Sequence, residues 1–156
     1  MQKITTFLWF NDNAEAAVNF YLSIFKSGKI LQTVRYGKSG PGPAGSVMII
    51  SFELEGQRFT ALNGGPHFTF TPAISLSVEC KDQAEIDRLW DALKEGGSVE
   101  QCGWLKDRWG LSWQIVPKRL GELMGGSDPA VAKRVAEAML KMVKFDIAGL
   151  EAAARG

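Results

Sequence analysis

The sequence repeats one short pattern, and this repeat restricts the possible folds more than any other feature. Asp12-Asn13-Ala14-Glu15 recurs as Asp82-Gln83-Ala84-Glu85, seventy positions later (85 − 15 = 70). Each copy follows an apolar run typical of a strand and precedes an apolar stripe with helical spacing, which a glycine ends. We therefore expect two similar modules, each beginning with a strand and a helix.

The first module has the pattern of a strand, a helix and three further strands. We predict strands at residues 4–10, 29–36, 46–54 and 57–62, and a helix at residues 13–26. Asp12 and Glu15 fit the N-cap and N3 positions of a capping box at the helix start, and Gly28 fits a stop after its end. Residues 37–45, rich in glycine and proline, predict a flexible loop.

The second module is a shortened copy of the first. A strand at residues 73–79 and a helix ending near residue 95 match the first two elements. Residues 107–110 predict a turn before the closing strand. Because Gly110 follows Gly56 by only fifty-four positions (110 − 56 = 54), we expect this module to lack or abbreviate one strand.

A helical tail follows the second module. Asp128-Pro129 places a cap residue before a proline at the first helical position, which favours a helix start. The apolar stripe of that helix consists of Val131, Val135, Ala138, Met139 and Met142. We expect its methionines to pack against the sheet or a partner subunit, and a short last helix to follow.

Composition excludes several classes of function. The chain has 156 residues, of which 46% are hydrophobic and 22% charged, and its formal net charge is +1. No segment collects enough Lys or Arg to bind nucleic-acid phosphates, and no apolar run is long enough to span a bilayer. With only Cys80 and Cys102, a disulfide framework is not indicated. We expect a cytoplasmic protein without nucleic-acid or membrane partners.

Several segments, spread over nearly the whole chain, resemble a known family. They are Leu8-Trp9-Phe10, Ala14-Glu15-Ala16-Ala17, Phe20-Tyr21, Ala61-Leu62-Asn63-Gly64-Gly65, Asp82-Gln83-Ala84-Glu85, Cys102-Gly103-Trp104-Leu105-Lys106-Asp107, Trp113-Gln114-Ile115-Val116-Pro117 and Ala138-Met139-Leu140-Lys141-Met142. They resemble the vicinal oxygen chelate superfamily, which includes glyoxalase I, bleomycin- and fosfomycin-resistance proteins and extradiol dioxygenases. Within it they look like the PhnB-like subgroup, which carries the name 3-demethylubiquinone-9 3-methyltransferase-like.

The resemblance implies an α+β fold. Two βαβββ-type modules would form a curled, cup-shaped mixed sheet with helices outside, plus C-terminal helices. They would make a single glyoxalase-like domain over residues 1–156, with modules at about 1–66 and 71–118 and a helical tail at about 127–154. The resemblance also implies a homodimer, as is usual for small members.

Strand alternation predicts which side chains line the cup. In the strand at residues 73–79, apolar residues alternate with small ones, so Ser75 should face the cup. In the closing strand, Gln114 and Val116 should face the cup and Trp113 should face the helices.

The metal-using members of the superfamily place His, Glu or Gln on the first and last strands of each module, because several such ligands must converge on the ion. Here only Gln114 falls at a matching position, and Thr60 is its counterpart in the first module. One amide does not hold a catalytic metal, so we predict no metal and no cofactor.

The sequence identifies no catalytic residue. His67, the sole histidine, follows Pro66 between the modules, and we interpret it as an exposed or lightly packed loop residue. A nucleophilic pair of His67 with Cys80 or Cys102 stays open, since such partners can be distant in sequence. The glycine-rich residues 40–45 precede a strand, unlike the strand-to-helix turn of Rossmann-like adenosylmethionine enzymes.

We predict a metal-free homodimer that binds a small, partly aromatic or apolar molecule. The predicted ligand-binding residues are Thr60, Asn63, Ser75, Trp104, Trp113 and Gln114, with Trp9 as a further stacking surface. Indoles offer stacking area, and the polar side chains offer a few fixed hydrogen bonds. The alternative is an enzyme acting on a small aromatic or apolar substrate: a lyase or isomerase with a recruited metal, a metal-free catalyst, or a methyltransferase as the subgroup's name says. The candidate groups of the metal-free catalyst are Lys106, Asp107 and His67.

Overall fold

A computed structural model describes residues 2–156 and gives them five helices and eight strands. The chain divides into two compact units, Met1–Phe70 and Thr71–Gly156. Each unit contains one four-stranded mixed sheet. No helix within residues 2–156 has the length and apolar character needed to cross a membrane.

The first unit has the predicted order of a strand, a helix and three strands. Its elements are β1 (Thr6–Phe10), α1 (Ala14–Ile24), β2 (Gly28–Arg35), β3 (Val47–Leu54) and β4 (Gln57–Asn63). In the sheet the strands lie in the order β1-β4-β3-β2, with β1 parallel to β4 and the other neighbours antiparallel. Glu55 and Gly56 form the predicted tight turn between β3 and β4, both with positive φ angles (48° and 81°).

The second unit repeats this topology with two very short strands and then adds three helices. Its elements are β5 (Ser75–Cys80), α2 (Gln83–Leu93), β6 (Ser98–Val99), β7 (Trp104–Lys106), β8 (Ser112–Pro117), α3 (Lys118–Met124), α4 (Pro129–Met139) and α5 (Ile147–Arg155). The strand order is β5-β8-β7-β6, again with one parallel pair. The predicted abbreviation is confirmed, since β6 has two residues and β7 three. Helix α3 was not predicted from the sequence.

The strand register confirms the repeat residue by residue. In the first unit, Phe7 of β1 lies opposite Thr60 of β4. In the second unit, Ser77 of β5 lies opposite Gln114 of β8. These pairs differ by the two offsets found in the sequence (77 − 7 = 70 and 114 − 60 = 54). Thr60 and Gln114 are therefore equivalent positions, as predicted.

Each unit buries the apolar stripe of its first helix against its sheet. In α1, Ala17, Val18 and Tyr21 are fully buried, and the helix packs against β3 and β4. In α2, Ile86 and Leu93 are fully buried, and the helix packs mainly against β8. Burying these side chains supplies the main favourable free energy of the two-layer arrangement.

The predicted N-cap residue of α2 is confirmed, whereas the predicted capping box of α1 is wrong. Asp82 Oδ1 accepts a hydrogen bond from the backbone N–H of Glu85 at 2.9 Å. Asn13, rather than Asp12, is the N-cap residue of α1, and its side chain makes no cap hydrogen bond. Asn63 Oδ1, at the end of β4, accepts instead from the N–H of Ala14 at 2.8 Å. A neighbouring strand thus supplies the oxygen that the local sequence was expected to supply.

Gly28 does not stop α1, contrary to the prediction. The helix ends at Ile24, Phe25 turns to extended backbone, and Gly28 begins β2. A Cβ atom on Gly28 would lie 2.7 Å from the carbonyl oxygen of Glu53 on β3. The glycine is needed for this close approach between two strands.

The C-terminal helices form a small core of their own. Asp128 Oδ1 accepts from the N–H of Ala130 at 2.9 Å and Pro129 starts α4, as predicted. Val135, Phe145 and Leu150 are buried at the centre of this core. The residues packed around them are Cys102, Val116, Leu120, Leu123, Val131, Met139, Met142 and Ala154. The methionines of the tail therefore pack within the second unit.

Candidate ligand-binding site

One face of the second sheet carries the polar side chains that the sequence singled out. It is the face opposite α2, and strand alternation places two rows of residues on it. One row consists of Trp104, Gln114 and Ser77 on adjacent strands, and the next consists of Lys106, Ser112 and Ser75. We call these residues, together with Glu100 beside Trp104, the polar face.

Gln114 lies at the centre of the polar face, and of its amide atoms only Nε2 is hydrogen-bonded to a described residue. Its Nε2 atom donates to Ser75 Oγ at 2.9 Å, which fixes the orientation of the amide. No described residue donates a hydrogen bond to its Oε1 atom, and the side chain is partly exposed. The structure thus brings together Gln114, Ser75 and the partly exposed Trp104, three of the predicted site residues.

Trp113 lies on the opposite face of the sheet. It is 2% exposed, and its indole Nε1 donates to Asp107 Oδ2 at 3.0 Å. Val116 projects from the same face as Gln114, but it packs against the core of the C-terminal helices. The structure therefore places Trp113 in the core next to α2, and these helices cover the Val116 end of the polar face.

Asp107 organises the turn between β7 and β8. Its Oδ1 accepts from the backbone N–H groups of Trp109 (2.9 Å) and Leu111 (3.1 Å), while its Oδ2 accepts from Trp113. The residue is 2% exposed. A carboxylate that accepts several hydrogen bonds in a buried turn is suited to hold structure rather than to exchange protons with a substrate.

Two buried side-chain oxygen atoms have no hydrogen-bond partner among residues 2–156, and both belong to the polar face. They are Ser112 Oγ and Glu100 Oε1. The other carboxylate oxygen of Glu100 lies 4.0 Å from Lys106 Nζ, the limit for an ion pair. An unsatisfied buried polar atom costs about 1–3 kcal/mol. Glu100 was not predicted from the sequence, because it directly follows β6, a strand too short to show a periodic pattern.

The predicted residues of the first unit have different environments. Thr60 is 6% exposed and lies on the face opposite α1, between Phe7 and Ser51 on the neighbouring strands. Asn63 lies on the α1 face, where it accepts from Ala14 and its Nδ2 donates to the carbonyl of Val47 at 3.1 Å. The Asn63 amide therefore links α1 to β3, and a ligand-binding role for it stays a prediction.

An aromatic patch adjoins Thr60 in the first unit. Phe7 and Phe68 are 62% and 65% exposed. Trp9 packs edge-on against Phe68 at 4.9 Å between ring centroids, and its Nε1 donates to the carbonyl of Gly65 at 3.0 Å. The fixed orientation of Trp9 and the exposed rings beside it provide an apolar surface suited to stacking.

The strand positions used by metal-dependent relatives do not fit a divalent metal here. The matching positions on β4, β5 and β8 carry Thr60, Ser75, Ser77 and Gln114, which are all neutral. Within residues 2–156 no group of three or more His, Cys, Asp and Glu side chains could hold a metal ion. Of these side chains only the Gln114 amide is of a type that the metal-using members employ, and one amide does not hold a catalytic metal, so this donor set is unsuitable.

The environments of Cys80, Cys102 and His67 are not those of a nucleophilic site. Cys80 is fully buried, and burial, with a smaller contribution from Glu85, raises the pKa of its thiol from 9.0 to about 12. The Sγ atom of Cys102 donates to the carbonyl of Met139 at 3.6 Å. His67 is exposed, as predicted, and lines an open pocket of about 590 Å³ in the first unit. Since the thiolate is the nucleophilic form, Cys80 is inert at neutral pH.

Comparison with known proteins identifies the family. A family model described as 3-demethylubiquinone-9 3-methyltransferase matches residues 2–116, more than half of the chain. The chain belongs to this family. The solved structure of a putative 3-demethylubiquinone-9 3-methyltransferase, PhnB protein, from Bacillus cereus is 41% identical, with 74% of this chain and 99% of that chain covered and a TM-score of 0.69. Protein PA1353 from Pseudomonas aeruginosa is 25% identical, with 75% and 98% covered and a TM-score of 0.63.

The PhnB-like fold extends to more distant structures. The fosfomycin resistance protein from Listeria monocytogenes is 13% identical, with 75% of this chain and 93% of that chain covered and a TM-score of 0.51, which shows likeness of fold alone. The resemblance to the PhnB-like subgroup and the α+β fold of the superfamily are therefore confirmed. The family match ends at residue 116, so the tail segment 138–142 lies outside it. The search of curated proteins gave no match.

Proposed function

We propose that this PhnB-like protein binds a small, partly aromatic or apolar molecule on the polar face of its second sheet, without a resident metal. The observation that carries the proposal is the Gln114 amide. Ser75 fixes it, its Oε1 atom has no donor among the described residues, and the partly exposed indole of Trp104 lies beside it. A stacking surface next to a fixed, unused hydrogen-bonding group is the usual composition of a small-molecule site.

Two observations favour binding over the enzyme alternative. The carboxylate of Asp107, a candidate catalytic group, already accepts hydrogen bonds from Trp109, Leu111 and Trp113. The glycine-rich residues 37–45 join β2 to β3, two antiparallel strands, so they do not form the strand-to-helix turn of a Rossmann-like adenosylmethionine site. The word methyltransferase comes from the description of the family, and it does not identify a catalytic residue in this chain.

We also propose that the protein is a homodimer in the cytoplasm. Large apolar side chains of each unit are strongly exposed in the single chain, among them Ile4, Phe7, Phe68 and Ile74. Exposed apolar surface of this kind is typical of protein contacts. The resemblance to small members of the superfamily, which are usually dimers, points the same way.

A ligand screen with and without chelator tests the binding function. Small aromatic acids, amines and alcohols are added to the protein in EDTA, and the melting temperature is followed. Because a ligand that binds only the folded state stabilises it, the hits should raise the melting temperature equally in EDTA and in buffer alone. Gln114→Ala should abolish the shift, while the matched control Gln101→Ala, at an exposed position of the same unit, should keep it.

Two results would contradict the proposal. The first is a set of hits that disappears in EDTA and returns with added divalent metal. The second is a Gln114→Ala variant that melts like the wild type and still responds to every hit.

A further inference from the structure

The polar face contains a carboxylate, that of Glu100, for which the proposed binding function names no role. Glu100 Oε1 is buried and lacks a hydrogen-bond partner, although 38% of the side chain is exposed. A carboxylate oxygen accepts hydrogen bonds only, so Oε1 lacks a donor. Because the torsion that turns a carboxylate is broad and part of the side chain is exposed, rotation about it can bring Oε1 to the exposed side of the residue.

The charge of Glu100 is only weakly neutralised. Lys106 Nζ lies 4.0 Å from Oε2, which is longer than a charge-assisted hydrogen bond, and the Lys106 side chain is itself 36% exposed. Ion pairs of this kind between partly exposed groups contribute little. The carboxylate therefore retains the capacity to pair with a second cation.

Trp104 lies between two unused acceptors. The N–H of Glu100 donates to the carbonyl of Trp104 at 2.9 Å, so these residues are direct cross-strand neighbours. Gln114 is the neighbour of Trp104 on its other side. Adjacent strands are separated by about 4.8 Å, so Glu100 and Gln114 flank the indole within reach of one small molecule.

We infer that the ligand of the polar face carries a protonated nitrogen, as an amine, amidine or guanidine, attached to a flat apolar group. The flat group stacks on Trp104, and the nitrogen donates to Glu100 Oε1. The face of an indole also attracts cations, which adds to the preference. This inference rests on the proposed binding function and specifies the chemical class of its ligand.

Three probes that share a phenyl ring and a short chain separate this inference from binding in general. They are phenethylamine, 2-phenylethanol and 3-phenylpropionate, which carry a cation, a neutral hydroxyl and an anion. Binding is followed through the indole N–H resonances of the five tryptophans, with the Trp104 resonance assigned from Trp104→Phe. Phenethylamine should bind about tenfold more tightly than 2-phenylethanol, the value of one charge-assisted hydrogen bond, and 3-phenylpropionate should bind most weakly.

Three variants test the role of the carboxylate. Glu100→Gln keeps the shape of the side chain and should bind phenethylamine and 2-phenylethanol with equal affinity. Glu95→Gln, at a strongly exposed position of the same unit, should keep the wild-type preference. Lys106→Met removes the competing ammonium and should tighten phenethylamine binding about twofold or more.

The outcomes distinguish failure of this inference from failure of the proposed binding site. A Glu100→Gln variant that retains the preference for phenethylamine, or a wild-type protein that binds 3-phenylpropionate equally well, overturns the inference and leaves the binding function standing. Absence of a saturable shift of the Trp104 resonance with all three probes overturns the binding site and the inference with it.

Discussion

Asn63 holds the first turn of α1 from a position forty-nine residues further along the chain. Its two amide atoms contact the start of the helix and the backbone of Val47 on β3. One side chain therefore satisfies a first-turn helix N–H that has no partner within the helix, and it ties the helix to the sheet. At the equivalent place in the second unit, Asp82 satisfies the N–H of Glu85 through a local contact.

We predict that Asn63→Ala lowers the free energy of unfolding by about 2 kcal/mol, because a helix cap and a second, partly buried hydrogen bond are lost together. Urea denaturation followed by circular dichroism measures this loss. Asp12→Ala is the matched control and should change stability by less than about 0.5 kcal/mol, since this exposed side chain makes no cap hydrogen bond. The reverse ranking would show that Asp12 caps the helix in solution.

At the scale of elements, Gln83 joins α5 to α2. Its Oε1 accepts from the N–H of Ile147 at 2.8 Å, and its Nε2 donates to the carbonyl of Phe145 at 3.0 Å. Nearby, Lys144 hydrogen-bonds to Asp87 at 2.8 Å and holds the pKa of that carboxyl below its usual range. The last helix is thus attached by one side chain of α2, apart from its packing on α3 and α4.

We predict that Gln83→Ala increases the hydrogen-exchange rate of the Ile147 amide at least tenfold, because that N–H loses its acceptor. The fall in global stability should be about 1–2 kcal/mol. Lys144→Met, which removes only an exposed ion pair, should change stability by less than about 0.5 kcal/mol and leave the Ile147 amide protected. Unchanged exchange at Ile147 in Gln83→Ala would show that packing alone fixes the start of α5.

At the scale of the whole molecule, the tail methionines no longer support a dimer. The sequence suggested that Met139 and Met142 pack on the sheet or on a partner, and the structure shows them around the core of the C-terminal helices. The remaining support is the exposed apolar side chains, such as Phe7 and Ile74, and the family resemblance. The dimer therefore stays a proposal that rests on surfaces outside the tail.

We predict that light scattering gives twice the 17.1 kDa mass of one chain at micromolar concentration, because exposed apolar surface favours association. A dilution series measures the dissociation constant. Met142→Ala should lower stability while leaving the mass of the folded protein unchanged, since Met142 packs within one chain. A monomer throughout the series would contradict the dimer.

The sequence by itself determined the features that depend on local order. Residue periodicity and the repeated tetrapeptide determined two similar modules, and the two offsets relate the strand register of one unit to that of the other. Asp82 and Asp128 were predicted as caps because their partners are two or three residues away. Alternation along β8 predicted the opposite directions of Trp113 and Gln114, because side chains of a strand point to alternate faces.

Only the tertiary structure decided which distant groups meet. Asn63 displaces Asp12 as the cap of α1 because strand pairing brings β4 to the helix start. Glu100 became a candidate site residue only when β6 and β7 placed it beside Trp104. Such contacts join residues whose separation along the chain carries no periodic pattern, and folding selects them through the burial of both sheets.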